Sequence, residues 1–154
     1  MNNEPGAPVV LSASESWALL REAVVGRLAV VMDDQPEIFP VNYLVDHGSI
    51  VFRTAAGAKL TASIGRSVAF EVDAYDQASG EAWSVVVKGT AQEVNRLHDV
   101  LDALELPLFP WHAAPKPCIV RIEPGVISGR RFHALTENRP TSTPTPRRAA
   151  HGEF

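Results

Sequence analysis

Apolar and polar positions along the chain follow two different periods, and the switches between them mark out the elements. Ser12 followed by Glu15 has the form of a capping box, and Trp17, Leu20 and Val24 then recur at helical spacing, which predicts a helix from about Ala13 to Ala23. β-rich runs follow at Gly26 to Met32 (GRLAVVM), Ile38 to Val45 (IFPVNYLV) and Ser49 to Thr54. Asp33, Asp34 and Pro36 turn the chain after the first, and Asp46, His47 and Gly48 after the second, so the three runs predict an antiparallel meander. Pro40 interrupts the second run, which is therefore expected to be an edge strand or bulged at that point.

A short helix is expected near Ala58 to Ile64, followed by the alternating strand Ser67 to Asp73 (SVAFEVD), with Val68, Phe70 and Val72 on one face. In the long run Ala82 to Val94, Gly89 predicts a bulge or sharp bend. Asn95 to Glu105 carries Leu97, Val100, Leu101 and Leu104 at amphipathic helical spacing, and the proline-rich stretch Pro107 to Pro117 is expected to be an ordered loop. Cys118 to Ile122 and Val126 to Phe132 predict two last strands separated by Glu123, Pro124 and Gly125. Residues 1–10 are expected to form a flexible arm, 11–135 one domain and 136–154 a disordered proline-rich tail. Strand dominance with peripheral helices and no βαβ alternation predicts a mainly β protein, a small closed or nearly closed antiparallel barrel.

Composition narrows the function classes. With 154 residues, 45% hydrophobic and 21% charged, the chain can bury a core without staples. Its single cysteine, Cys118, cannot form an internal disulfide and is expected to be a buried small apolar residue. A formal charge of −4 argues against nucleic-acid binding. No stretch approaches the ~20 apolar residues of a membrane span, and Met1 to Val10 has neither a basic start nor an apolar core, so the expectation is a cytoplasmic protein without a membrane partner. His47, His98, His112, His133 and His151 form no i, i+4 pair and no metal-like cluster with cysteine.

The chemistry concentrates in Phe52 to Leu60, FRTAAGAKL. Arg53 and Thr54 end a strand, Gly57 opens a loop, and Lys59 stands at a helix start, which gathers the donors a phosphate monoester needs. A structural alternative for Arg53 is an ion pair with a strand carboxylate such as Glu71. Against it, one carboxylate does not call for a hydroxyl and a second cation within six residues.

VGRLAV at Val25, PVNYLVD at Pro40, FRTAAGAKL at Phe52, VAFEVD at Val68, EAWSVVVKGTA at Glu81 and ISGRRF at Ile127 occur in order and at plausible spacing. Over about Leu11 to Phe132 the chain resembles the pyridoxamine 5′-phosphate oxidase-like flavin-binding family. The resemblance implies a split β-barrel that dimerises and holds flavin mononucleotide (FMN) in clefts between subunits. It further implies that Arg53, Thr54 and Lys59 hold the flavin phosphate, that Pro40, Val41, Asn42 and Tyr43 run beside the isoalloxazine ring, and that Trp83 and Ser84 lie near the cofactor across the interface. Ala82 stands where the family usually has glycine, and Ala58 where serine often precedes the lysine. The chain ends in a proline-rich tail, without the arginine and histidine substrate motif of authentic pyridoxamine phosphate oxidases. Three functions follow: an FMN-dependent oxidoreductase acting on a small molecule, a deazaflavin-dependent reductase on the same fold, or a non-catalytic module that binds flavin, haem or a lipid-like ligand.

Overall fold

The structure, a computed structural model, describes residues 7–55, 57–94 and 117–134. The expected helix at 95–105, most of the loop after it and the tail lie outside the described residues. A short strand β1 (Val9–Leu11) leads into helix α1 (Ala13–Glu22), whose start has both arms of the capping box: Glu15 N–H donates to Ser12 Oγ at 3.1 Å, and Ser12 N–H to Glu15 Oε2 at 2.8 Å. Strands β2 (Val25–Met32), β3 (Gln35–Asn42), β4 (Leu44–Asp46) and β5 (Ser49–Ala55) follow. After a 3-10 turn at Lys59–Ser63 come β6 (Ser67–Tyr75), β7 (Glu81–Glu93) and β8 (Pro117–His133).

The sheet runs in the order β3-β2-β6-β7-β8-β5-β4, with β1 added on β8, and every pairing is antiparallel. The expected meander is therefore cut in two. β2 and β3 pair, and β4 and β5 pair, but β3 and β4 lie at opposite ends of the strand order although only Tyr43 separates them in sequence. One stretch of chain thus supplies both edges, and the sheet curls until they meet at one residue. The result is a split antiparallel β-barrel, as expected.

Both hairpins turn on two residues with positive φ, Asp33 and Asp34 (50° and 60°) and His47 and Gly48 (47° and 69°), the backbone that matches strand twist in two-residue turns. Pro36 and Pro40 are both in β3, at the edge, where a missing N–H costs no ladder bond. The two strands expected at the end of the domain are one. β8 absorbs Glu123, Pro124 and Gly125 as a bulge, because Lys88 pairs with Val126 and Gly89 with Pro124, leaving Gly125 as the extra residue. Gly89 is required there: a Cβ on it would lie 2.0 Å from the Glu123 carbonyl oxygen.

The core fills the inside of the barrel with Leu28, Ile50, Phe52, Phe70, Val85, Val87, Val120 and Ile122, all fully buried. α1 closes one end through Leu20, and Ser16 sits against Gly129, where a Cβ would come within 2.3 Å of its Oγ. Cys118 is buried as expected, 3.6 Å from Glu93 Oε1, and burial followed by that carboxylate pushes its thiol up to about 11. On the opposite face of the β4-β5-β8 region, Val51 and Ile119 form a second small cluster with Leu44 and Val94. Beside it Arg121 donates to Asp46 Oδ2 at 2.9 Å, to the Asp46 carbonyl at 3.1 Å and to Ser49 Oγ, pinning the β4-β5 turn to β8.

Two outcomes are expected. An ideal Cβ on Gly26 would lie 2.2 Å from the fully buried Phe70 ring, so Gly26→Ala should destabilise the fold by about 1–3 kcal/mol, measured by urea unfolding. Burial alone would raise the Asp46 carboxyl, but hydrogen bonds from Arg121 and His47 outweigh it and hold it below the ordinary carboxylate range. A depressed folded value means that the unfolded chain binds the proton more readily, so this stabilisation is present above the unfolded value of about 3.9 and is lost as pH falls through the lower folded one. Arg121→Gln should flatten that acid limb of the urea-midpoint curve, and an unchanged limb would assign the acid sensitivity elsewhere.

Candidate functional site

β5 positions the first part of the site by strand alternation. Ile50 and Phe52 belong to the main core and Val51 to the outer cluster, so Thr54 falls on the inner side and Arg53 on the outer one. Thr54 is buried and Arg53 half-buried. The strand then ends and Ala58 N–H closes a tight turn onto the Ala55 carbonyl at 3.0 Å, from which Lys59 opens the 3-10 turn. Gly57, at φ 79°, has the left-handed backbone that lets the chain turn there.

Lys59 reaches across the split of the barrel. Its Nζ lies 2.7 Å from Glu37 Oε1 on β3, with the lysine side chain 62% and the glutamate 32% exposed. Glu37 pairs with the buried Val30 and also lines an open groove of about 660 Å³. Ala29, Val31, Ile38, Ala69 and Val126 give that groove apolar walls, and Lys88 is its other charged residue among the described residues. Val31, Ile38 and Val126 are exposed, which leaves an apolar face of the sheet turned outward beside the Lys59–Glu37 pair.

Glu71, the carboxylate considered as a partner for Arg53, is engaged by another residue. Glu71 accepts from Arg27, at 2.9 Å from Nε and 2.6 Å from Nη2, and Asp73 accepts from the same Nη2 at 2.7 Å. The Glu71 hydrogen bond is the main reason that the Arg27 guanidinium is held above its ordinary value. Arg27 stands opposite Glu71 on the neighbouring strand, whereas Arg53 is on β5, separated from β6 by β7 and β8.

The four residues of the Pro40–Tyr43 stretch have different environments. Pro40 is exposed, Val41 buried and Asn42 half-buried at the end of the edge strand. Tyr43 is 2% exposed: its hydroxyl donates to the Leu20 carbonyl at 2.6 Å, and its ring meets Phe70 edge-on with centroids 4.9 Å apart. Its ring and hydroxyl are therefore committed to the core, and burial drives the phenol far above its ordinary value. Of this stretch, Pro40 and Asn42 are the residues with surface to offer a ligand.

Trp83 and Ser84 lie at the other end of the sheet. Trp83 pairs with Ala74 and Arg131 and borders a hollow of about 240 Å³ with Tyr75, Asp76, Glu81 and Arg131, while Ser84 faces the opposite side between Asp73 and Arg130. Glu37 is level with Val30 and, through β6, with Gly89, so six residues of β7, or roughly 20 Å, separate Trp83 from the Lys59 end. One copy of the chain does not bring the two groups together. Glu37 is the residue that sequence reasoning missed, since nothing local links it to Lys59 across 22 positions.

Comparison with known proteins agrees with this architecture. Residues 12–131 match the family described as Pyridoxamine 5′-phosphate oxidase. An uncharacterised protein of Mycobacterium tuberculosis is 35% identical over 132 residues, 82% of this chain and 86% of its own length. The solved FAD binding protein of Mycobacterium smegmatis is 39% identical with a TM-score of 0.76, covering 82% of this chain and 100% of that one. A protein of unknown function from Corynebacterium diphtheriae is 36% identical with a TM-score of 0.70 over 81% of this chain and 98% of its own. With the family match spanning most of the barrel and a relative this similar over nearly its whole length, the chain belongs to the pyridoxamine 5′-phosphate oxidase-like family.

Proposed function

We propose that the chain binds a flavin nucleotide at the split of its barrel and serves as a flavin-dependent oxidoreductase for a small molecule. The observation that carries this reading is the cation Lys59 at the split, joined through Glu37 to an apolar groove of about 660 Å³. Such a groove can take a flat ring system while the ammonium meets a phosphate. The 39% identical Mycobacterium smegmatis protein, described as an FAD binding protein, supports a flavin in particular.

In this reading Lys59, Arg53 and Thr54 hold the phosphate end, and FMN is the smallest flavin that meets such a grip. A deazaflavin presents the same kind of ring and a phosphate. Pro40 and Asn42 flank the ring along the edge of β3, Val41 and Tyr43 anchor that edge from inside, and β3 keeps a side that no strand among the described residues pairs. Trp83 and Ser84, too far from Lys59 in one copy, reach the cofactor from a second, so the functional unit is a homodimer. The outward Val31, Ile38 and Val126, between 57% and 67% exposed, offer the apolar surface that such a dimer needs. The bound flavin supplies hydride or electron transfer, and the protein's part is to orient the ring and exclude water.

The purified protein should be yellow, and mass analysis of the released ligand should return a flavin. A colourless protein that neither binds added flavin nor changes its tryptophan fluorescence would overturn the reading. Arg53→Ala and Lys59→Ala should each weaken flavin binding by about tenfold or more with little loss of stability. Unfolding at unchanged affinity would make them structural. Ile38→Asp should shift the protein toward monomer in light scattering and weaken flavin binding with it.

A further inference from the structure

The apolar groove has a second end. Its lining residues come from β3, β2, β6, β7 and β8 in that order, so it crosses the sheet from the split to the bulge. Glu37 stands at the β3 end and Lys88 on β7, three interstrand steps or roughly 14 Å away. The two ends differ in charge. At the split, Lys59 and Glu37 neutralise each other. Lys88 is exposed, and among the described residues its ammonium has neither an ion pair nor a hydrogen bond. The carboxylates nearest to it in the ladder do not serve it: Glu71, opposite Val86, accepts from Arg27, and Glu123, opposite Thr90, forms no ion pair with it. The ladder holds Lys88 between Ala69 and Val126, so its stem can lie along apolar wall while the ammonium stays available.

We infer that the Lys88 end of the groove is the substrate subsite, and that the substrate is an apolar or aromatic small molecule with a single negative charge, a carboxylate being the simplest. As an anion site this stands on the groove and Lys88. As a substrate site it rests on the flavin reading, which seats the ring at the Glu37 end and leaves the Lys88 end for the molecule that meets it. The groove volume of about 660 Å³ falls within the ~300–1,000 Å³ of small-molecule pockets. Its walls take an apolar body out of water, and the ammonium gives an anion a charge-assisted hydrogen bond that a neutral analogue cannot match. Lys88 thus decides which molecules are held and which end of them points to β7.

The probes are 2-naphthoate and 2-naphthamide, which share a ring system and differ in charge. Calorimetry follows their binding to the full chain, with and without excess FMN, and to Lys88→Met, Lys88→Arg and Lys59→Ala, while thermal unfolding and light scattering check each variant. The native chain should bind the carboxylate about fivefold or more tightly than the amide, with FMN present as without it. Lys88→Met should bring the two affinities within about twofold of each other, whereas Lys88→Arg and Lys59→Ala keep the preference. A native chain that binds neither probe or both alike, a preference that survives Lys88→Met, or one that Lys59→Ala removes would each overturn the site. So would a shift of folded Lys88→Met toward monomer, which would give Lys88 to the second copy. Loss of naphthoate binding on addition of FMN would overturn the substrate role, because the flavin would then occupy the Lys88 end itself. If FMN does not bind and the Lys88-dependent preference holds, the flavin reading falls and the anion site stands.

Discussion

The barrel depends on Tyr43 being where it is. Between β3 and β4 the chain leaves one edge of the sheet and begins the other, and this residue is held there by three contacts of different kinds. Its N–H donates to the Val24 carbonyl at 3.2 Å, its hydroxyl to the Leu20 carbonyl, and its ring packs edge-on against Phe70. Leu20 is in the last turn of α1, where carbonyls have no partner within the helix, so the tyrosine satisfies a group that burial would otherwise leave unpaired. Removing that hydroxyl would strand the Leu20 oxygen in the core, which typically costs about 1–3 kcal/mol. Gly26 serves the same region by leaving room for the Phe70 ring.

Closure at Tyr43 leaves the rest of β3 facing β5 without a ladder, and the Lys59–Glu37 pair crosses that gap. Because both side chains are partly in solvent, the pair adds little to stability by itself. Its value is positional: it holds the turn after β5 against the edge strand and keeps an ammonium at the mouth of the groove. The ammonium has three N–H donors and Glu37 takes one, so an anion bound there would share the lysine with the protein's own carboxylate.

Much of this was legible in the sequence wherever the determining signal is local. The capping box at Ser12 and Glu15, the turns at Asp33–Asp34 and His47–Gly48, the alternation of Val68, Phe70 and Val72, and the irregularity at Gly89 are each set by neighbours a few residues away. What depends on distant pairing was not. No property of Ile38 to Val45 shows that its two halves join opposite edges, because the backbone is extended on both sides of Tyr43. The run from Pro117 to His133 looks interrupted at Pro124, yet in contact with β7 it continues through a bulge. The same limit applies to the site. FRTAAGAKL could be recognised as a collection of donors, but the partner of Lys59 lies 22 residues away and the Glu71 carboxylate considered for Arg53 belongs to Arg27.

The two prolines of β3 have an effect beyond the barrel. A ladder that pairs Pro36 with Val31 and Pro40 with Arg27 can place them only where an N–H would point away from β2, toward the open side of the strand. Along that side, from Pro36 to Pro40, three carbonyls remain but only Ile38 has an N–H to give. An incoming strand needs donors and acceptors in alternation and meets a nearly donorless rim. Among the described residues this stretch of strand has no ladder partner on its open side, and its chemistry makes it a poor template for aggregation by strand addition.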